Sequence, residues 1–388
     1  MKTNNQTERL YYLDWLRVIG ILIVFCFHTS MLFVSWEWHI NNSESSFIMD
    51  TFVRFVHVWI MPLFFLLAGA SARCSLRIRK DTNYIAERFK RLIIPLCFGV
   101  LLIIPLQVYF ERVSTSEFSG SFLHFYLYFF NGIYPQGNFT LNHLWFLLYL
   151  FVVSLIALPV LRAINNKTKK NSIIRLVSRG NLWILFLPAL PLIVIEASFR
   201  LSWPLYLYPA DIIIFFIYFV YGHLIVSEKG LRDAIKKDSK SAFLIGLISF
   251  SVITVLYYQN KIPAPGSSWS YVVFQTIWSV TGWFWIVAIM GFGLKHLNSR
   301  HRALSYANDA VLPFYILHQT VILIIGYYVV QWEISLLMKF LFIITTAFFT
   351  TGSLYFMIWQ SDIARLIFGL KTKSKANKFM VLNEYQHS

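Results

Sequence analysis

Arg17 and His28 stand eleven residues apart in one apolar stretch, LDWLRVIGILIVFCFHTSMLF, residues 13–33. Ionisable groups inside a bilayer are expensive and persist where they have a task. On an α-helix, eleven residues make three turns plus roughly 20°, so both side chains lie on one face, about 16 Å apart along the axis. Asp14, one turn before Arg17, falls near the same line. An imidazole titrates near working pH and can take the proton of a hydroxyl that attacks a thioester or ester carbonyl, or can transiently carry the acyl group itself. Arg17 and His28 are therefore the candidate catalytic pair, with Asp14 orienting Arg17. His57, His143 in NHLWFLLYL and His318 in FYILHQT are candidates to support them. The competing reading of each is a histidine that hydrogen-bonds between helices. His39, beside Glu37, reads as loop chemistry.

A second constellation follows the second apolar stretch, in RCSLRIRKDTNYIAERFKRLIIP. Arg88 and Arg91 are three residues apart and would share a face of an α-helix. Paired guanidinium groups suit a phosphate-rich ligand. With Arg17 they are candidates to hold the nucleotide end of coenzyme A. The competing reading is a topology signal and lipid headgroup anchor, which is how Arg73, Arg77, Arg79 and Lys80 are read. There is no Gly-rich phosphate loop. Cys26, Cys74 and Cys97 form no disulfide framework, and no metal-binding spacing occurs, so neither a metal nor a bound cofactor is expected.

These groups need membrane helices to position them. The 388 residues are 57% hydrophobic and 13% charged, against about 25% charged in a soluble domain. Ten apolar segments are long enough to span a bilayer: 12–34, 50–72, 92–110, 142–162, 181–198, 209–227, 241–258, 270–294, 308–330 and 336–358. Pro188 and Pro191 predict a kink in the fifth. Residues 122–130 are apolar but too short to span and read as an interfacial or re-entrant piece. With both termini inside, 28 of the 34 Lys and Arg residues fall on the inner side, a strong positive-inside bias. Carboxylates such as Glu37, Asp50, Glu111 and Glu333 collect at the outer side. The net charge of +16 thus follows from topology and contact with anionic lipid, and no nucleic-acid partner is needed. The expectation is an all-α polytopic membrane protein of about ten transmembrane helices. Residues 1–370 would form a single transmembrane domain and residues 371–388 a basic cytoplasmic tail, taken as disordered.

At these residues the chain resembles the acyltransferase-3 family of membrane proteins. That family shows an arginine, ten residues and a histidine in its first helix, as at Arg17 and His28. It shows R-x-x-R before its third helix, as at Arg88 and Arg91 ahead of Pro95. Its second helix commonly ends F-F-x-x-S-G; here the sequence is FFLLAG, with Ala68 in place of the serine. HLWFL at residues 143–147 and YILHQ around His318 also look like the family. WEWHINNSESS, residues 36–46, and NHLWFLLYL resemble the glucan succinyltransferase branch that acts in periplasmic glucan biosynthesis. The resemblance implies ten transmembrane helices in the cell (inner) membrane. It also implies transfer of an acyl group, of acetyl or succinyl type, from cytoplasmic acyl-CoA to a carbohydrate hydroxyl on the far side. Acyl-CoA would be the donor substrate.

Two other classes compete. A transporter or proton-coupled flippase would use the same intramembrane His, Arg and Asp residues, but no internal repeat or matched pair of broken helices accompanies them. A degenerate family member acting only as an assembly partner is the third, and Ala68 is the residue that would hint at it.

Overall fold

The computed structural model describes residues 10–166, 185–199, 209–266 and 268–372. Among them the regular structure is helical, without a strand. In chain order the helices are α1 (Tyr11–Ser30), α2 (Phe47–Ile78), α3 (Asp81–Arg88), α4 (Ile94–Leu102), α5 (Ile104–Ser114), α6 (Phe122–Tyr128) and α7 (Trp145–Asn166). There follow α8 (Ala189–Phe199), α9 (Pro209–Ser227), α10 (Lys229–Tyr258), α11 (Trp269–His296), α12 (Arg302–Val329), α13 (Leu336–Gln360) and α14 (Asp362–Ile367). A π-helical turn, Phe89–Ile93, joins α3 to α4, and a 3₁₀ turn, Asn142–Leu144, leads into α7.

Nine helical stretches among the described residues are long and apolar enough to cross a membrane. They match nine of the ten predicted segments. The remaining one, 181–198, begins outside the described residues; among those described, 185–186 are helical and the eleven-residue α8 follows the turn. The chain turns at Leu187 and Pro188 just before it. Proline supplies no N–H and clashes with the preceding turn, so the helix restarts beyond it. Several helices outrun the predicted spans. α10 begins at Lys229 rather than 241, because hydropathy marks the hydrocarbon core while the helix continues through its charged end. The 122–130 stretch is the short helix α6, capped by Ser121 Oγ, which accepts from His124 N. Residues 373–388, most of the predicted tail, lie outside the described residues.

The chain divides into two compact units. One comprises residues up to Gly20, His57–Arg79 and Val153–Asn308. In it α2 and α9 cross with their backbones in contact. A Cβ on Gly69 would lie 1.8 Å from Phe219 O, and one on Gly222 1.8 Å from Leu66 O. Small residues permit this approach where lipid offers no hydrophobic drive. α10 packs along α11, with Trp285 Nε1 donating to Gly246 O at 3.0 Å. Arg162 closes the end of α2 by donating to Leu76 O (3.0 Å) and Arg79 O (3.1 Å), two carbonyls that lack helical partners.

The other unit comprises Ile21–Val56, Lys80–Val152 and the residues from Asp309 on. It holds the loop after α1 tightly. Asp50 accepts from Ser35 N (2.9 Å) and Ser35 Oγ (2.7 Å). Asn42 N donates to Leu32 O at 2.7 Å. Buried Lys339 donates to Asn42 Oδ1 and Val330 O, each at 2.8 Å. The loop bearing Trp38 and His39 is therefore fixed at both ends. α13 turns much of its length outward: Leu337, Met338, Phe349, Phe356 and Met357 are exposed, a face suited to lipid.

Candidate active site

In the second unit, three of the predicted histidines meet. His28, near the end of α1, places Nδ1 2.9 Å from Nε2 of His318 on α12. The His143 ring, on the 3₁₀ turn before α7, centres 5.5 Å from His318 and 6.4 Å from His28. Their hydrogens follow from their partners. His318 Nδ1 faces Tyr315 O at 2.7 Å, and a carbonyl only accepts, so Nδ1 carries the hydrogen. His318 Nε2 is then the acceptor, and His28 Nδ1–H donates to it. In neutral His28 the unprotonated nitrogen is Nε2. His143 Nε2 donates to Ile316 O at 3.2 Å, leaving Nδ1 to face Gln107 Nε2 at 3.4 Å.

Sequence reading missed the polar groups around these rings. Gln107, Asn142, Gln319 and Thr320 form a hydrogen-bonded net beside His143. His39 joins it through Asn142 Oδ1 at 3.2 Å, and its Nδ1 pairs with Glu111 Oε2. His39 is thus more than a loop residue. Trp38, next to it, lies nearly parallel to His28, with centroids 6.2 Å apart. In the loop ahead of Asn142, burial and then the adjoining Glu111 carboxylate push the Tyr134 hydroxyl up to about 12, so it stays a neutral donor. A signal was present: Gln107 is a lone amide in an apolar run, and Gln319 directly follows His318.

His57 is not part of this cluster. It belongs to the first unit, where it is exposed and its ring centres 6.1 Å from Trp278. Among the described residues no group of His, Cys, Asp or Glu is placed to hold a metal ion.

Arg17 lies in the first unit. It pairs through Nη1 with Asp14 Oδ1 at 2.6 Å and through Nη2 with Ser71 Oγ. Ser71 stands three residues beyond Ala68. Both guanidinium contacts leave Arg17 oriented and mostly buried. The predicted common face of Arg88 and Arg91 is not what forms. Arg91 falls in the π-helical turn, whose wider winding breaks the α-helical register between them. Arg88 is half-buried with its guanidinium 5.2 Å from the Tyr84 ring centre, whereas Arg91 is exposed.

A multi-helix membrane fold with an imidazole towards one end of α1 and an oriented guanidinium towards the other is compatible with a membrane acyltransferase. The chain matches the model described as "Acyltransferase domain" over residues 10–359 and belongs to that family, acyltransferase-3. Among individual proteins, it is similar to "Glucans biosynthesis protein C" of Escherichia coli strain K12, 24% identical over 351 residues that cover 83% of this chain and 84% of the relative. The proteins of the same name from E. coli strains SMS-3-5 / SECEC and O81 (ED1a) align with the same identity and coverage. No solved structure matches. The chain is thus a multi-pass membrane acyltransferase, and family membership displaces the transporter reading.

Proposed function

We propose that this protein is an O-acyltransferase of the cell (inner) membrane. It moves an acetyl- or succinyl-type group from cytoplasmic acyl-CoA to a hydroxyl of an extracytoplasmic glycan. The carrying observation is the His28–His318–Tyr315 carbonyl chain, which makes Nε2 the unprotonated nitrogen of neutral His28. Nε2 takes the acceptor hydroxyl's proton as the oxygen attacks the thioester carbonyl. The carbon–sulfur bond breaks, and the departing coenzyme A thiolate receives that proton from the imidazolium. The products are the ester and free thiol, and His28 returns to its starting state. Arg17, oriented by Asp14, supplies positive charge for the phosphates of the donor; Arg88 and Arg91, in the other unit, are separate candidates for phosphate binding. The continuous helix between Arg17 and His28 covers about 16 Å, comparable to an extended pantetheine arm. The glucan-biosynthesis name of the relatives supports a glucan as the acceptor.

The test is transfer of labelled acetyl or succinyl groups from CoA to a glucan by the purified protein in nanodiscs. His28→Ala should lower turnover by about 10²- to 10⁴-fold with the protein still inserted. Undiminished transfer by that variant sinks the mechanism.

A further inference from the structure

Every amide nitrogen and oxygen but one of the net beside the histidines has a hydrogen-bond partner. Gln107 Oε1 accepts from Asn142 Nδ2 (2.6 Å) and Gln319 Nε2 (3.3 Å). Asn142 Oδ1 accepts from Gln319 Nε2 (3.1 Å) and His39 Nε2 (3.2 Å). Gln107 Nε2 donates to Thr320 Oγ1 at 2.5 Å and faces His143 Nδ1. Both hydrogens of Gln319 Nε2 are therefore engaged. Gln319 Oε1 is buried and has no hydrogen-bond partner. Turning the amide over would set Oε1 against the oxygens of Gln107 and Asn142, so the net itself dictates this orientation. A buried acceptor without a donor is destabilising, and a hydroxyl from a ligand would relieve it. Gln319 is bonded in sequence to His318, the partner of His28.

We propose that Gln319 is a specificity-determining residue of the acceptor site. Its Oε1 accepts a hydrogen bond from a second hydroxyl on the sugar ring whose first hydroxyl His28 deprotonates. The inference rests on the acyltransferase reading of His28. It explains how an otherwise aromatic and imidazole-lined site would select a polyol over a simple alcohol: an analogue lacking that hydroxyl leaves Oε1 unmatched.

The experiment uses the full chain in nanodiscs, with acetyl-CoA and succinyl-CoA as donors. The acceptors are methyl β-D-glucoside and each of its monodeoxy analogues. For the wild type, at least one monodeoxy analogue should fall about 10- to 100-fold below the parent in kcat/KM. Gln319→Met, close in volume but lacking Oε1, should lower the parent to the level of that analogue. The analogue's own value and the KM for the donor should stay where they were. An unchanged parent-to-analogue ratio in Gln319→Met overturns the inference, because a water-binding or packing role would leave that ratio alone. A wild type that acylates every analogue equally also overturns it, whatever the folding of the variant. A wild type that acylates no glucoside from either donor overturns the proposed glycan acyl transfer and this inference together.

Discussion

At the residue scale, His318 is the group whose effect on chemistry is indirect. It touches His28, and its own ring is set by a main-chain carbonyl. Removing it should free the His28 ring to adopt the other tautomer. His318→Leu is expected to lower kcat roughly 10²-fold while leaving both KM values within about threefold. His318→Gln, whose Oε1 can accept from His28 Nδ1, should recover part of the loss. A purely packing role predicts no rescue by glutamine over leucine, and steady-state kinetics on the two variants separates the cases. His28 was legible because its spacing to Arg17 is a one-dimensional property of a helix. Gln107, Asn142 and Gln319 were not, since a single amide in an apolar run has meaning only through partners on other elements. Arg88 and Arg91 show the converse. Their spacing suggested a shared face, and a local change of helical winding removed it.

At the element scale, the helices were readable from hydropathy because bilayer thickness imposes their length. Their ends were not, since a charged helix end leaves no hydropathy signal where it meets water. Nor were the crossings. Gly69 and Gly222 look ordinary in sequence, yet each lies within a bond length or two of a carbonyl on the facing helix once a Cβ is added. Gly222→Leu should therefore force α2 and α9 apart and lower the melting temperature in detergent by several degrees or abolish folding, since overpacking alone costs about 1–3 kcal/mol. Gly352→Leu, where an added Cβ meets nothing within 4 Å, serves as the control and should leave melting nearly unchanged. Equal melting of the two variants would falsify the close crossing.

At the scale of the whole molecule, charge distribution gives the orientation. The basic segments after α2 and at the start of α10 read as inner-side markers because translocation disfavours them. Native cysteines offer a test. Cys74 is exposed near the basic end of α2, whereas Cys97 is exposed within apolar α4. A membrane-impermeant maleimide should label Cys74 in inside-out vesicles and not in intact cells or spheroplasts. Cys97, facing lipid, should stay unlabelled from either side. Labelling of Cys74 from the outside would invert the orientation and move the donor end of α1 to the wrong compartment.

The relay behind His28 ends on a peptide carbonyl and contains no carboxylate, and the neighbouring Glu111 is engaged by His39. A carboxylate in that position would set a fixed negative charge behind the two imidazoles, opposing an acyl chain that bears its own negative end. A neutral backbone dipole orients the imidazole without that repulsion. If His28 is the proposed base, it would then accept acyl groups that carry a negative end as well as uncharged ones.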